Sequence, residues 1–149
     1  MKIIFSKLEE CMLHIVHRKS DFYEKDVQRR DIVEPDQYIQ LSALKMKNET
    51  TFRPHAHIWK EFENLNRDKN RQTIAQESWV VVRGKVKCFF YDLDDTLLEE
   101  VVLEEGDCSI TLQGGHNYEI LEDDTLVYEY KTGPYLGQAN DKRFLHEED

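Results

Sequence analysis

Two imidazoles stand two residues apart at Pro54-His55-Ala56-His57. In an extended chain successive side chains point to opposite faces, so His55 and His57 project to one side and Ala56 to the other. Such a pair is the beginning of a divalent-metal site. A carboxylate that could join it is Glu77, which shares a strand face with Trp79 and Val81 in Glu77-Ser78-Trp79-Val80-Val81-Val82-Arg83-Gly84. Further on, Gly114-Gly115-His116 lets backbone and imidazole come close to a bound group. Lys60, Arg67, Lys69 and Arg71 are cations that could hold a phosphate or carboxylate of a substrate, and they follow directly on the histidine pair.

The elements around these residues read as short strands. Tyr38 to Met46 has a mostly alternating apolar pattern, with Ile39, Leu41 and Ala43 on one face. Glu77 to Arg83 is a β-branched run closed by a glycine turn at Gly84, and Val86 to Tyr91 forms its second arm. After the acidic turn Asp92-Leu93-Asp94-Asp95 come Thr96 to Leu103, a turn at Glu105-Gly106-Asp107, Cys108 to Leu112, and a face shared by His116, Tyr118 and Ile120. The turn Glu122-Asp123-Asp124 and the strand Leu126 to Lys131 complete the series. Short strands with regularly spaced turns predict an all-β sandwich or barrel.

The flanks are less regular. Leu8, Cys11, Met12, Ile15 and Val16 fall at helical spacing, while His14-Ile15-Val16-His17 also reads as strand, the preferred reading. His14 and His17 have no supporting ligand pattern and are expected at a surface or edge. Asp21 to Asp31 reads as a solvated connection, and Glu34-Pro35-Asp36 as a turn. Ile58 to Gln76, 19 residues rich in Asn, Lys, Arg and Glu, reads as a long loop with a helical turn around Trp59 to Leu65. Loops longer than about 12 residues are often lids or binding loops. Residues 141–149 are highly charged and are expected to fray.

Composition narrows the partners. A chain of 149 residues suits one domain, 1–149, with enough core to need no disulfides. Cys11, Cys88 and Cys108 show no paired spacing and read as buried small apolar residues. With 30 acidic against 20 basic residues the net charge is -10, which repels nucleic acid and anionic lipid. The apolar run at Met1 to Phe5 is broken too early for a secretory or membrane segment. A cytoplasmic protein that binds neither nucleic acid nor membrane is expected.

His55-x-His57, Glu77 six residues before Gly84, and Gly106 leading to a glycine pair and His116 together resemble the two-part motif of the cupin family, over residues 38–131. The resemblance implies a double-stranded β-helix, or jelly-roll barrel, with His55, His57, Glu77 and His116 as metal ligands inside it. It departs from the family in the interval between His57 and Glu77, which requires an insertion at 58–76. Glu61 has the shorter usual spacing and is the rival carboxylate. The second motif has Leu112 where a proline is usual.

Three imidazoles and one carboxylate suit Fe, Mn, Ni or Zn as one divalent ion, which could act as a Lewis acid or generate hydroxide from water. Trp79, Tyr118 and Tyr128, if inward, would line a substrate site with Lys69 and Arg71 from the insertion, and Tyr118 is the candidate proton relay. By the resemblance the function is that of a metal-dependent enzyme on a small polar metabolite, foremost a sugar or nucleotide-sugar isomerase or epimerase. An Fe(II) dioxygenase and a non-catalytic sugar- or metal-binding module are the alternatives, and a homodimer paired through strand edges is one arrangement the resemblance allows.

A second stretch, Phe89-Phe90-Tyr91-Asp92-Leu93-Asp94-Asp95-Thr96, resembles the first motif of haloacid-dehalogenase-type phosphatases, with Asp92 as nucleophile and Asp94 as acid/base. That fold needs alternating helices and parallel strands. Only 53 residues follow Thr96, and they read as strands.

Overall fold

A computed structural model describes residues 1–9, 11–24, 28–62 and 71–146. The described residues form fourteen β-strands and two short 3-10 turns, with no α-helix. In chain order the strands are β1 (Lys2–Phe5), β2 (Met12–Val16), β3 (Arg29–Asp31), β4 (Ile39–Met46), β5 (His55–His57), β6 (Trp59–Phe62) and β7 (Arg71–Ile74). They continue with β8 (Glu77–Arg83), β9 (Val86–Tyr91), β10 (Leu97–Leu103), β11 (Cys108–Thr111), β12 (Gly115–Ile120), β13 (Thr125–Thr132) and β14 (Lys142–Phe144).

Ten of these strands build two five-stranded antiparallel sheets, ordered β10-β9-β12-β5-β14 and β11-β8-β13-β4-β3. The crossovers between them are those of a jelly roll. Period-2 alternation decides what each strand turns inward. From β8 these are Glu77, Trp79 and Val81, and from β12 His116, Tyr118 and Ile120, all buried. At one end of the interior Leu44, Met46, Val81, Val86, Cys88, Leu103, Ile120 and Val127 pack into a closed apolar core drawn from both sheets.

Two glycines set the approach to the other end. Gly114 has φ +83°, and a Cβ there would meet the Tyr91 carbonyl oxygen at 2.5 Å. Gly115 packs against the Leu145 side chain, where a Cβ would come within 2.7 Å. Both therefore let β12 sit between β9 and the C-terminal strand.

The N-terminal segment is a strand ribbon, β1 paired with β2. Contrary to a solvated connection, residues 19–23 form a 3-10 turn that buries Asp21 and Phe22, and Phe22 packs with Ile32, Ala43 and Leu126 on the outer face of the second sheet. The insertion is also more ordered than a loop. Trp59 to Phe62 are extended, not helical, and pair residue by residue with Arg71 to Ile74. Residues 63–70 lie outside the described residues.

The largest correction is at the C-terminus. Residues 141–146 do not fray: β14 pairs with β5, placing Lys142 opposite His57 and Phe144 opposite His55, and Asp141 and Leu145 are buried. A charged composition hid a strand that closes the first sheet beside the histidine pair. Of the cysteines, Cys88 is buried, whereas Cys11 and Cys108 are exposed. Among the described residues no helix is long and apolar enough to cross a membrane.

Candidate metal centre

β5, β8 and β12 bring His55, His57, Glu77 and His116 together, with one ligand atom from each lying within 4.8 Å of all the others. His55 and His57 share a face of β5, and His116 stands directly opposite His55 across the β12–β5 pairing. Glu77 reaches in from the facing sheet. Its Oε2 lies 3.2 Å from His57 Nε2, and its Oε1 lies 3.4 Å from His116 Nε2. All four residues are buried, with His116 at 0% exposure.

Neighbouring groups orient the ligands. His55 Nδ1 donates to the Arg53 carbonyl at 3.1 Å and His57 Nδ1 to the Asp141 carbonyl at 3.2 Å, which leaves the His55 Nε2 lone pair for an ion, and that of His57 once its Nε2 gives up the proton it shares with Glu77. Trp79 Nε1 donates to Glu77 Oε1 at 3.0 Å. His116 differs: neither ring nitrogen has a hydrogen-bond partner although both are buried. A buried imidazole with no hydrogen bond, and only the Glu77 carboxylate 3.4 Å from its Nε2, is costly, and a cation at the convergence point would satisfy that nitrogen. The donor set and this orphaned ring fit a divalent ion.

The electrostatics fit too. Burial, helped by the nearby charges of His116 and Lys142, pushes His55 down to about 3, so it is neutral and ready to ligate. Burial also disfavours charge on His57, but hydrogen bonds to Asp141 and Glu77 outweigh it and raise His57 to about 9. The Glu77 carboxyl, despite its burial, is held well below the usual carboxylate range by His116 and His57.

Asp141 is the residue that sequence reasoning missed at this site. It is 1% exposed and sits 3.4 Å from His57 Nδ1, while its two oxygens accept from Lys60 Nζ at 2.6 Å and Lys131 Nζ at 2.9 Å. Burial opposes its ionisation, yet His57, Lys60 and Lys131 hold it low. Lys60 is thereby an internal partner of Asp141, not a substrate cation. No apolar rhythm marks Asp141, so nothing local announced it.

Three of the four ligands, His55, His57 and Glu77, line a cavity of about 670 Å³ between the sheets, and His116 lies behind them, fully buried. Trp79 and Tyr118 stack at 3.8 Å in its wall. Burial, then the Glu77 charge, raises the Tyr118 hydroxyl well above its ordinary value, so it stays protonated. On the facing sheet Arg29 donates to Glu129 at 2.7 and 3.2 Å and to Ser42 at 2.8 Å. Glu129 and Lys131 could have been read from the sequence, since they alternate with inward Val127.

Other expected residues lie elsewhere. Tyr128 is on the outer face of its sheet, against Phe22, with its hydroxyl 2.8 Å from His17 Nδ1, because it is out of phase with Val127 and Glu129. His17 is thus half-buried by this contact. Lys69 and Arg67 lie outside the described residues, as do the side chains of Arg71 and Glu61; Glu77 supplies the carboxylate of the cluster. Asp92 and Asp94 cap their own turn, accepting from the backbone N–H of Leu93 at 2.7 Å and of Thr96 at 3.0 Å. They are exposed on an antiparallel hairpin, which removes the phosphatase reading.

No protein-family model and no curated protein matches the chain. Solved structures do. A capsular polysaccharide assembling protein, CapF from Staphylococcus aureus, aligns with a TM-score of 0.60 and 20% identity over 78% of this chain and 31% of that one. KdgF from Halomonas sp. aligns at 0.50 and 20% over 70% and 77%. A cupin-2 domain containing protein from Shewanella frigidimarina aligns at 0.50 and 15% over 80% and 95%. This chain therefore spans about a third of CapF and most of the other two. Its fold is the cupin fold.

Proposed function

We propose that this cupin-fold chain is a metal-dependent enzyme acting on a small polar metabolite, a sugar or nucleotide-sugar that it isomerises or epimerises. The observation that carries the proposal is the buried His55-His57-Glu77-His116 cluster, in which the His116 ring makes no hydrogen bond, at the inner end of a cavity large enough for a small ligand. The likeness to CapF, a capsular polysaccharide assembling protein, supports a carbohydrate-related substrate by analogy of fold.

A divalent ion bound by the four residues would supply Lewis-acid polarisation of a carbonyl or hydroxyl oxygen. The chain itself supplies the rest. Glu129 and Ser42, fixed by Arg29, present oxygens that can accept from sugar hydroxyls. Trp79 and Tyr118 give an apolar wall for a sugar ring and help exclude water.

The test is proton exchange. Purified protein loaded with Mn²⁺ or Zn²⁺ is incubated in D₂O with a panel of reducing sugars, sugar phosphates and nucleotide-sugars, and carbon-bound deuterium is followed by NMR. Metal-dependent incorporation at a carbon next to a carbonyl is expected. Absence of exchange across the panel would overturn the isomerase reading, and consumption of dioxygen in its place would redirect it to oxidation.

A further inference from the structure

The cavity cations are not equivalent. Arg29 is engaged by Glu129 at 2.7 Å, and Lys131 is held by Asp141 at 2.9 Å. Arg53 lies over the Phe144 ring at 4.1 Å. Lys142 alone among the cavity lysines forms no ion pair with any described carboxylate; its ammonium lies 5.8 Å from the Phe144 ring centroid. It is half-buried, and its register opposite His57 puts it on the same face of the sheet as the imidazoles.

An ammonium partly withdrawn from water without a counter-charge is costly, and burial does lower Lys142 from its ordinary value. Glu77, Glu129 and Asp141 act on it only at a distance, and Lys131 opposes them. Each of those carboxylates already has closer partners. The cavity that Lys142 lines has room for an anionic group of a ligand. A divalent ion at the four ligands would increase the demand, because Glu77 alone leaves it under-neutralised.

Resting on the metal-enzyme reading above, we infer that Lys142 is an anion subsite, and that the cavity takes a polyhydroxylated small molecule carrying a carboxylate or phosphate. The anion pairs with Lys142, and the hydroxyls face Glu129 and Ser42 on the opposite wall. Nothing covalent is required of Lys142, which acts as a specificity-determining group.

Isothermal titration with D-glucuronate, D-glucose 6-phosphate and neutral D-glucose, on metal-free and Mn²⁺-loaded protein, tests this. Wild type should bind at least one anionic sugar about tenfold or more tightly than glucose. Whichever anion is preferred identifies carboxylate or phosphate as the group recognised. Lys142→Gln should abolish the preference while Lys142→Arg keeps most of it, both with wild-type melting temperatures. Equal binding of glucose, no binding of either anion at 10 mM (about the weakest affinity worth the name), or a preference that survives Lys142→Gln would overturn the subsite. Metal uptake, titrated separately, bears on the earlier proposal alone: a chain that binds metal but shows no Lys142-dependent preference loses only the subsite, and one that shows the preference without binding metal loses only the metal centre.

Discussion

The two ends of the barrel interior are made by the same strands and differ in almost every physical respect. β8 contributes Val81 to one end and Glu77 to the other, and β12 contributes Ile120 and His116 in the same way. At the closed end, Val86, Cys88, Ile120 and Val127 are fully buried in an apolar cluster, where burial itself is the stabilising term. At the open end three imidazoles and several carboxylates are buried at a cost that only charge pairing, hydrogen bonds or a bound ion can offset. One end holds the fold together so that the other can keep polar groups in a convergent geometry. Trp79 and Tyr118, stacked between them, form the boundary.

The sharpest way to break this division is at the open end. His55→Ala should weaken Mn²⁺ or Zn²⁺ affinity by at least about a thousandfold, roughly 4 kcal/mol, more than the loss of an outer hydrogen-bond partner costs. The metal-free protein should stay folded by circular dichroism. Ile120→Ala is the reverse experiment. Removing a side chain of 0% exposure from the apolar end should destabilise unfolding in urea by about 3 kcal/mol, with metal affinity per folded molecule unchanged. If Ile120→Ala alters metal affinity as much as His55→Ala does, the two ends are not separable.

The next effect is pH dependence. In the metal-free protein His57 binds its proton more tightly than in the unfolded chain, at about 9 against 6.5. Its stabilising contribution is therefore complete below pH 6.5 and is lost as pH rises through about 9. An ion must displace that proton, so metal affinity should climb about tenfold from pH 7 to pH 8, with one proton released per ion, measured by titration in buffers of different ionisation enthalpy. Flat affinity over that interval would mean that His57 is already neutral and that Asp141 does not control it.

How much of this could be read without coordinates follows the same division. Glu77 to Arg83, with its clean alternation, announced both its existence and its inward face, Leu126 to Lys131 announced its existence but not its inward face, and the Cβ parity of β5 placed His55 and His57 together. Parity also shows why Tyr128 had to point away once Val127 pointed in. Within the described residues, the expected loop at 58–76 and the expected frayed tail at 141–149 misled at 59–62, 71–74 and 141–146, because charge density was taken for solvation. Lys60, Lys131 and Asp141 neutralise one another inside the protein, and long-range pairing of that kind leaves no local pattern. Asp92→Asn, at an exposed position whose carboxylate caps only its own turn, should produce the smallest effect, a melting shift below about 2 °C and unchanged metal binding. A larger shift would give that acidic turn a role that neither end of the barrel supplies.

The direct test of the metal centre is X-ray absorption at the Zn edge on wild-type protein loaded with Zn²⁺ and freed of excess ion, together with the ion-to-protein ratio. The assignment predicts one ion per chain, with three imidazole nitrogens and carboxylate oxygen at about 2.0–2.2 Å. It also predicts fewer imidazole scatterers in His116→Ala at matched loading. Substoichiometric zinc, sulfur in the ligand shell, or a spectrum unchanged in His116→Ala would contradict it.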